Sequence, residues 1–160
     1  MLLEEGNKAP EFSLPNSDGE MVSLSDFKGK KVVLWFFTKA STPGWMIEGK
    51  GFRDEFDTFK NNNIEIVGCS ADSVSKQKKF CDKQKFSFTM LCDESHEMLE
   101  SYGVWGLKKF MGREYMGISR ITYLISEDGL IEKVYNKVSV KSHAKDILKD
   151  LNIWWLLKEN

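Results

Sequence analysis

Apolar and polar positions change rhythm several times along this chain, and each change marks an element. "EFSLPNSDGEMVSLSDFKGK" alternates around Asn16-Ser17-Asp18-Gly19, which predicts a hairpin followed by a helical turn ending at Gly29. "KKVVLWFFT" is β-branched and aromatic with almost no polar face, the pattern of a central strand covered on both sides. After a turn at Thr42-Pro43-Gly44, Phe52, Phe56 and Phe59 recur at helical spacing, and "NNNIEIVGCSAD" ends that helix and begins a second buried strand. Val74, Phe80 and Cys81 mark the next helix and "FTMLCD" a third strand. A short helix through Met98, Leu99 and Tyr102 ends at Gly103. "RITYLIS" and "LIEKVYN" flank Glu127-Asp128-Gly129 as a hairpin, and a last helix from about Ser142 carries Ile147, Leu151, Trp154 and Trp155.

Alternating strands and helices, closed by an antiparallel hairpin and a helix, imply a mixed central sheet with helices on both faces. A thioredoxin-like α/β fold has that order. With 160 residues, no repeat and no low-complexity linker, one domain spanning 1–160 is expected. The net charge of −1 comes from 23 basic and 24 acidic residues without a block of either sign, which argues against a nucleic-acid or anionic-membrane surface. The acidic start "MLLEEGNKAPEF" is unlike a secretory signal, and no apolar run approaches the ~20 residues of a membrane span, so a cytoplasmic location is expected. Cys69, Cys81 and Cys92 form no CxxC pair, which argues for free thiols over a disulfide framework or a structural zinc site; neither metal nor cofactor is expected.

"APEFSLPNSDGE", "VSLSDFKGKKVVLWFF", "KASTPG", "FRDEF", "GCSADS", "LCDESHEMLESYGVWG", "KKFMGREYMGISR" and "RITYLISEDGLI" occur in an order and spacing that resemble a peroxiredoxin of the bacterioferritin comigratory protein or peroxiredoxin Q type. The resemblance runs essentially end to end. It implies reduction of hydrogen peroxide and organic hydroperoxides by a cysteine in a P-x-x-x-T-x-x-C motif, on the first turn of a helix. There the helix N-terminus and an arginine favour the thiolate. A threonine hydroxyl, backbone N–H groups and the arginine hold the two peroxide oxygens in line. The sulfenic acid that forms condenses with a resolving cysteine, and thioredoxin reduces the disulfide.

Carried onto this chain, the resemblance gives Thr42 as the threonine, Arg120 as the arginine, Glu48 as the acidic residue after the nucleophile and Cys81 as the resolving position. Two motif positions depart from it. The proline is Thr38, and the peroxidatic cysteine is Trp45, which cannot form a thiolate. Trp45 then either packs over the former pocket or offers an aromatic platform to a new ligand. Met46 departs as well, which suits natural drift better than one engineered replacement. Thr42 could equally cap its helix, and Arg120, deprived of a thiolate, would pair with Glu48. Cys81 reads as a resolving thiol or as a small buried hydrophobe; Cys69 and Cys92 read as core. His96 and His143 lie in polar segments and read as solvated.

Two functions follow. One is a degenerate peroxiredoxin, a monomer or weak homodimer that keeps the fold for a binding or structural role. The other is an active thiol peroxidase using a displaced cysteine, Cys81 first, with thioredoxin as reductant.

Overall fold

The computed structural model of the chain describes residues 2–37, 43–151 and 153, with side chains for all of these except 43–45 and 110. Thr38, Thr42, Trp154 and Trp155 lie outside the described residues. The first hairpin joins β1 (Ser13–Pro15) to β2 (Met21–Ser23). Asn16 Oδ1 accepts from the N–H groups of Asp18 and Glu20, and Gly19 takes the left-handed φ of 80° that such a turn needs. A 3₁₀ turn over Leu24–Phe27 follows.

β3 (Lys31–Phe36) lies at the centre of a five-stranded sheet. It runs parallel to β4 (Ile64–Ser70), which runs parallel to β5 (Thr89–Cys92). On its other side β3 pairs antiparallel with β8 (Thr122–Ile125), itself antiparallel to β9 (Ile131–Tyr135). The order is β5-β4-β3-β8-β9, so the uniformly apolar run is buried from both sides. Successive side chains of a strand point to opposite faces. Val32, Leu34 and Phe36 enter one core with Val67, Leu91 and Tyr123. Val33, Trp35 and Phe37 enter the other with Ile66, Met90 and Leu124.

Helices cover both faces, unevenly. α1 (Pro43–Asp54), α2 (Phe56–Asn61), α3 (Val74–Gln84) and α5 (His143–Asp150) bury Phe52, Phe59, Phe80 and Ile147 in the Trp35 core. α4 (Glu97–Ser101) places Met98 and Leu99 in the Phe36 core and stops where Gly103 adopts a φ of 71°. The phenylalanine stripe predicted as one helix is broken at Glu55 into α1 and α2. Phe52 and Phe59 are buried while Phe56 is only half-buried.

One element was not foreseen. "KKFMGREYMGISR" belongs to a separate hairpin of β6 (Trp105–Phe110) and β7 (Arg113–Ile118), turning at Met111 and Gly112, whose φ angles are 51° and 78°. Its Leu107 and Met116 face each other in register and are exposed, so no alternation between burial and exposure marked the strands.

α1 packs closely on the Phe86 ring: a Cβ on Gly49 would stand 2.5 Å from its Cζ, so any larger residue there would force that ring to move. Close packing at Gly49 carries its neighbour Glu48 into the interior.

Candidate active site at the start of the first long helix

Residues from both sides of the chain's long central stretch meet here. Pro43 opens α1, where its missing N–H costs nothing, and Trp45 falls in the first turn; the Trp45 side chain lies outside the described residues. One turn on, Glu48 is 1% exposed. Arg120 precedes β8 and places its Nε 3.6 Å from Glu48 Oε1, with a third of its side chain open to solvent. Thr122, two residues further on this extended segment, shares that face. His143, the first residue of α5, places Nε2 2.8 Å from Thr122 Oγ1 and 3.7 Å from Glu48 Oε2.

His143 corrects the sequence reading. It is 3% exposed, not solvated, because α5 docks its first turn against α1, with the Phe52 ring 5.6 Å and the Tyr135 ring 5.4 Å from the imidazole. His96 is half-buried and stacks on Trp105 at 4.0 Å, so it too is less open than expected.

The Arg120–Glu48 spacing is that of an ion pair, yet Glu48 holds its proton through neutral pH. Burial pushes its carboxyl up to about 8, opposed only in part by the Arg120 charge. Neither Glu48 oxygen has a hydrogen-bond partner among the described residues. Burial, reinforced by Arg120 and opposed by Asp146, pushes His143 down to about 4. Between about pH 4 and about pH 8 the cluster is therefore a neutral acid and a neutral imidazole beside one cation.

These proton counts determine how stability responds to pH. Between 4.5 and about 8, folded Glu48 keeps a proton that the unfolded chain has released, so its contribution to stability falls as pH rises. His143 acts in the opposite sense: between about 4 and 6.5 the unfolded chain holds the extra proton, and stability is lost as pH falls. The two slopes offset each other from 4.5 to 6.5. Above 6.5 Glu48 acts alone, and the unfolding free energy is expected to drop by about 2 kcal/mol by pH 8. Denaturant titrations at fixed pH check this, and Glu48→Gln should flatten that limb.

All three cysteines are free and buried, and they lie away from α1: Cys69 on β4, Cys81 on α3, Cys92 on β5. Burial raises each thiol, Cys81 to about 11 despite a hydrogen bond from Ser17, and Cys69 and Cys92 further. At pH 7 the Cys81 thiolate fraction is on the order of 10⁻⁴. We expect a thiol reagent at neutral pH to leave the native chain largely unlabelled and to count three thiols once it is unfolded. Rapid native labelling of Cys81 would contradict its packing. Among the described residues no three His, Cys, Asp or Glu side chains converge as a metal site requires, and no helix is long and apolar enough to cross a membrane.

A mixed sheet flanked by helices, with an arginine and a buried carboxyl meeting at a helix start, has the architecture of the thioredoxin-fold peroxiredoxins. The chain belongs to the AhpC/TSA family, whose sequence pattern matches residues 6–134. It is 43% identical over 146 residues to peroxiredoxin Bcp of Escherichia coli, covering 91% of this chain and 94% of that one. To peroxiredoxin Bcp of Bacillus subtilis it is 44% identical over 151 residues, covering 94% and 96%. A cysteine-to-serine variant of Xylella fastidiosa peroxiredoxin Q superposes with a TM-score of 0.89 at 29% identity, over 95% of this chain and 97% of that one.

Proposed function

We propose that this chain is a peroxiredoxin of the Bcp type that has kept the pocket and lost the nucleophile, so that its role is binding or structural rather than peroxide turnover. The observation that carries this reading is the residue in the first turn of α1, three after Thr42. It is Trp45, an indole with no ionisable group. By resemblance, Thr42 and Arg120 match the residues that position a peroxide, and the α1 N-terminus favours negative charge. They supply no electrons to the O–O bond, which in this family come from a sulfur at that turn. Alkyl peroxide reduction, the activity named for Xanthomonas campestris bacterioferritin comigratory protein, suggests the ligand class such a pocket would still admit.

The displaced-cysteine reading has no support in the geometry. Cys81 sits in the Trp35 core with its thiol raised, on a helix other than the one that brings Glu48 to Arg120. The test is peroxide consumption by the unmodified chain with thioredoxin, its reductase and NADPH. The expected rate is that of the protein-free control. Robust turnover that disappears in Cys81→Ser would overturn the proposal.

A further inference from the structure

The mechanism of the family gives no part to His143, yet this residue closes the cluster from behind. Its Nε2 faces two groups at once, Thr122 Oγ1 at 2.8 Å and Glu48 Oε2 at 3.7 Å. Glu48 in turn looks out on Arg120 Nε at 3.6 Å through its other oxygen. Both carboxyl oxygens are buried without a hydrogen bond among the described residues, and Arg120 Nε is likewise unsatisfied. A buried carboxyl in that condition is costly. A small rotation of either side chain would bring it within reach of the imidazole.

We propose that Glu48 and His143 act as one proton couple that sets the net charge of the cluster around Arg120, with His143 as the positioning residue. While Glu48 is a neutral acid, its O–H donates to a bare Nε2 and the ring hydrogen sits on Nδ1. When Glu48 ionises, the ring hydrogen relocates to Nε2 and donates to the carboxylate, so the imidazole changes tautomer and stays neutral. One proton leaves for water and one ring hydrogen changes place by solvent exchange, so the balance is complete. The Thr122 hydroxyl can donate or accept and follows either tautomer. The cluster's net charge, that of Arg120 alone in the first state, is cancelled in the second.

The surroundings favour tautomer change over an imidazolium. Glu48 faces Arg120 and His143. Arg120 opposes a positive charge on His143, and Asp146, on the same helix, favours one but is outweighed by burial. Beside Glu48, the imidazole meets the ring of Phe52 from α1 and the ring of Tyr135 from β9. The Tyr135 hydroxyl is engaged at 2.8 Å by Asp150. The inference does not depend on what Trp45 does.

The test is an NMR titration of the unmodified chain, following the Glu48 carboxyl carbon and both His143 nitrogens from about pH 5 to about pH 9, the range in which a histidine ordinarily changes charge. The expected result is one shared midpoint, at which Nδ1 and Nε2 exchange their N–H and bare-nitrogen shifts with no imidazolium signal. Thr122→Val should keep that exchange, and Glu48→Gln should abolish it. His143 holding one tautomer while Glu48 titrates, or turning cationic as Glu48 ionises, would overturn the proposal on the unmodified protein, whether or not the variants fold.

Discussion

Trp45→Cys is expected to raise peroxide consumption at least about a hundredfold above that of the unmodified protein. Removing a catalytic nucleophile costs roughly a millionfold in a well-studied hydrolase, so a partial return leaves a wide margin for detection. The new thiol would stand in the first turn of α1, one turn before Glu48, which Arg120 approaches to 3.6 Å. The helix N-terminus favours a thiolate there, and so does a guanidinium whose carboxyl partner is neutral. Thr38 in place of the motif's proline, and Met46, limit the recovery. The measurement is the thioredoxin-coupled assay run beside Trp45→Ala, which should stay at background. An engineered thiol with an ordinary pKa of about 8.5 and no gain in rate would remove the case for a preserved pocket.

Phe52→Ala should be the most destabilising single change near the site, lowering the unfolding free energy by about 3–5 kcal/mol. Its ring has no exposure and lies 5.1 Å from Trp35, 6.0 Å from Phe59, 6.4 Å from Phe88 and 5.6 Å from His143. One side chain therefore joins α1 to the sheet, to α2 and to α5. For a chain of this size the melting temperature should fall by on the order of 10 °C. Phe56→Ala, at a half-buried position of the same stripe, should cost about 1 kcal/mol. Equal losses at the two positions would mean that the break at Glu55 does not decide which ring anchors the helix.

What could be read from the sequence was what burial writes into it. The run Lys31–Phe36 is apolar at every position after the first because helices lie on both faces of β3, and that places it at the sheet centre. The turns at Asn16–Gly19 and Glu127–Gly129 were legible because their backbone needs glycine at positive φ. The β6–β7 hairpin was not, since its Lys108–Tyr115 and Leu107–Met116 pairs leave apolar and charged side chains equally outside. Met111-Gly112 was the signal available there. His143 was misread from its polar neighbours; its spacing of four from Ile147, with Ala144 and Leu148 beside it, puts it on the buried stripe of α5. The Arg120–Glu48 approach could be anticipated only through family resemblance, because nothing local relates two residues so distant along the chain.

The central strand has consequences for how the chain is made. β3 finds β4 within the next few dozen residues, but its other edge waits for β8, where Val32 pairs with Ile125 and the Phe36 N–H reaches Ile121 O. On a ribosome the parallel half of the sheet can zip early while one side of its most apolar strand has no neighbour. That open edge is a template for pairing with another nascent chain until the antiparallel half emerges. Pairings so distant are also slow to form. The interval between synthesis of β4 and of β8 is thus when a chaperone has most to protect, and translation pauses there should increase aggregation more than pauses elsewhere.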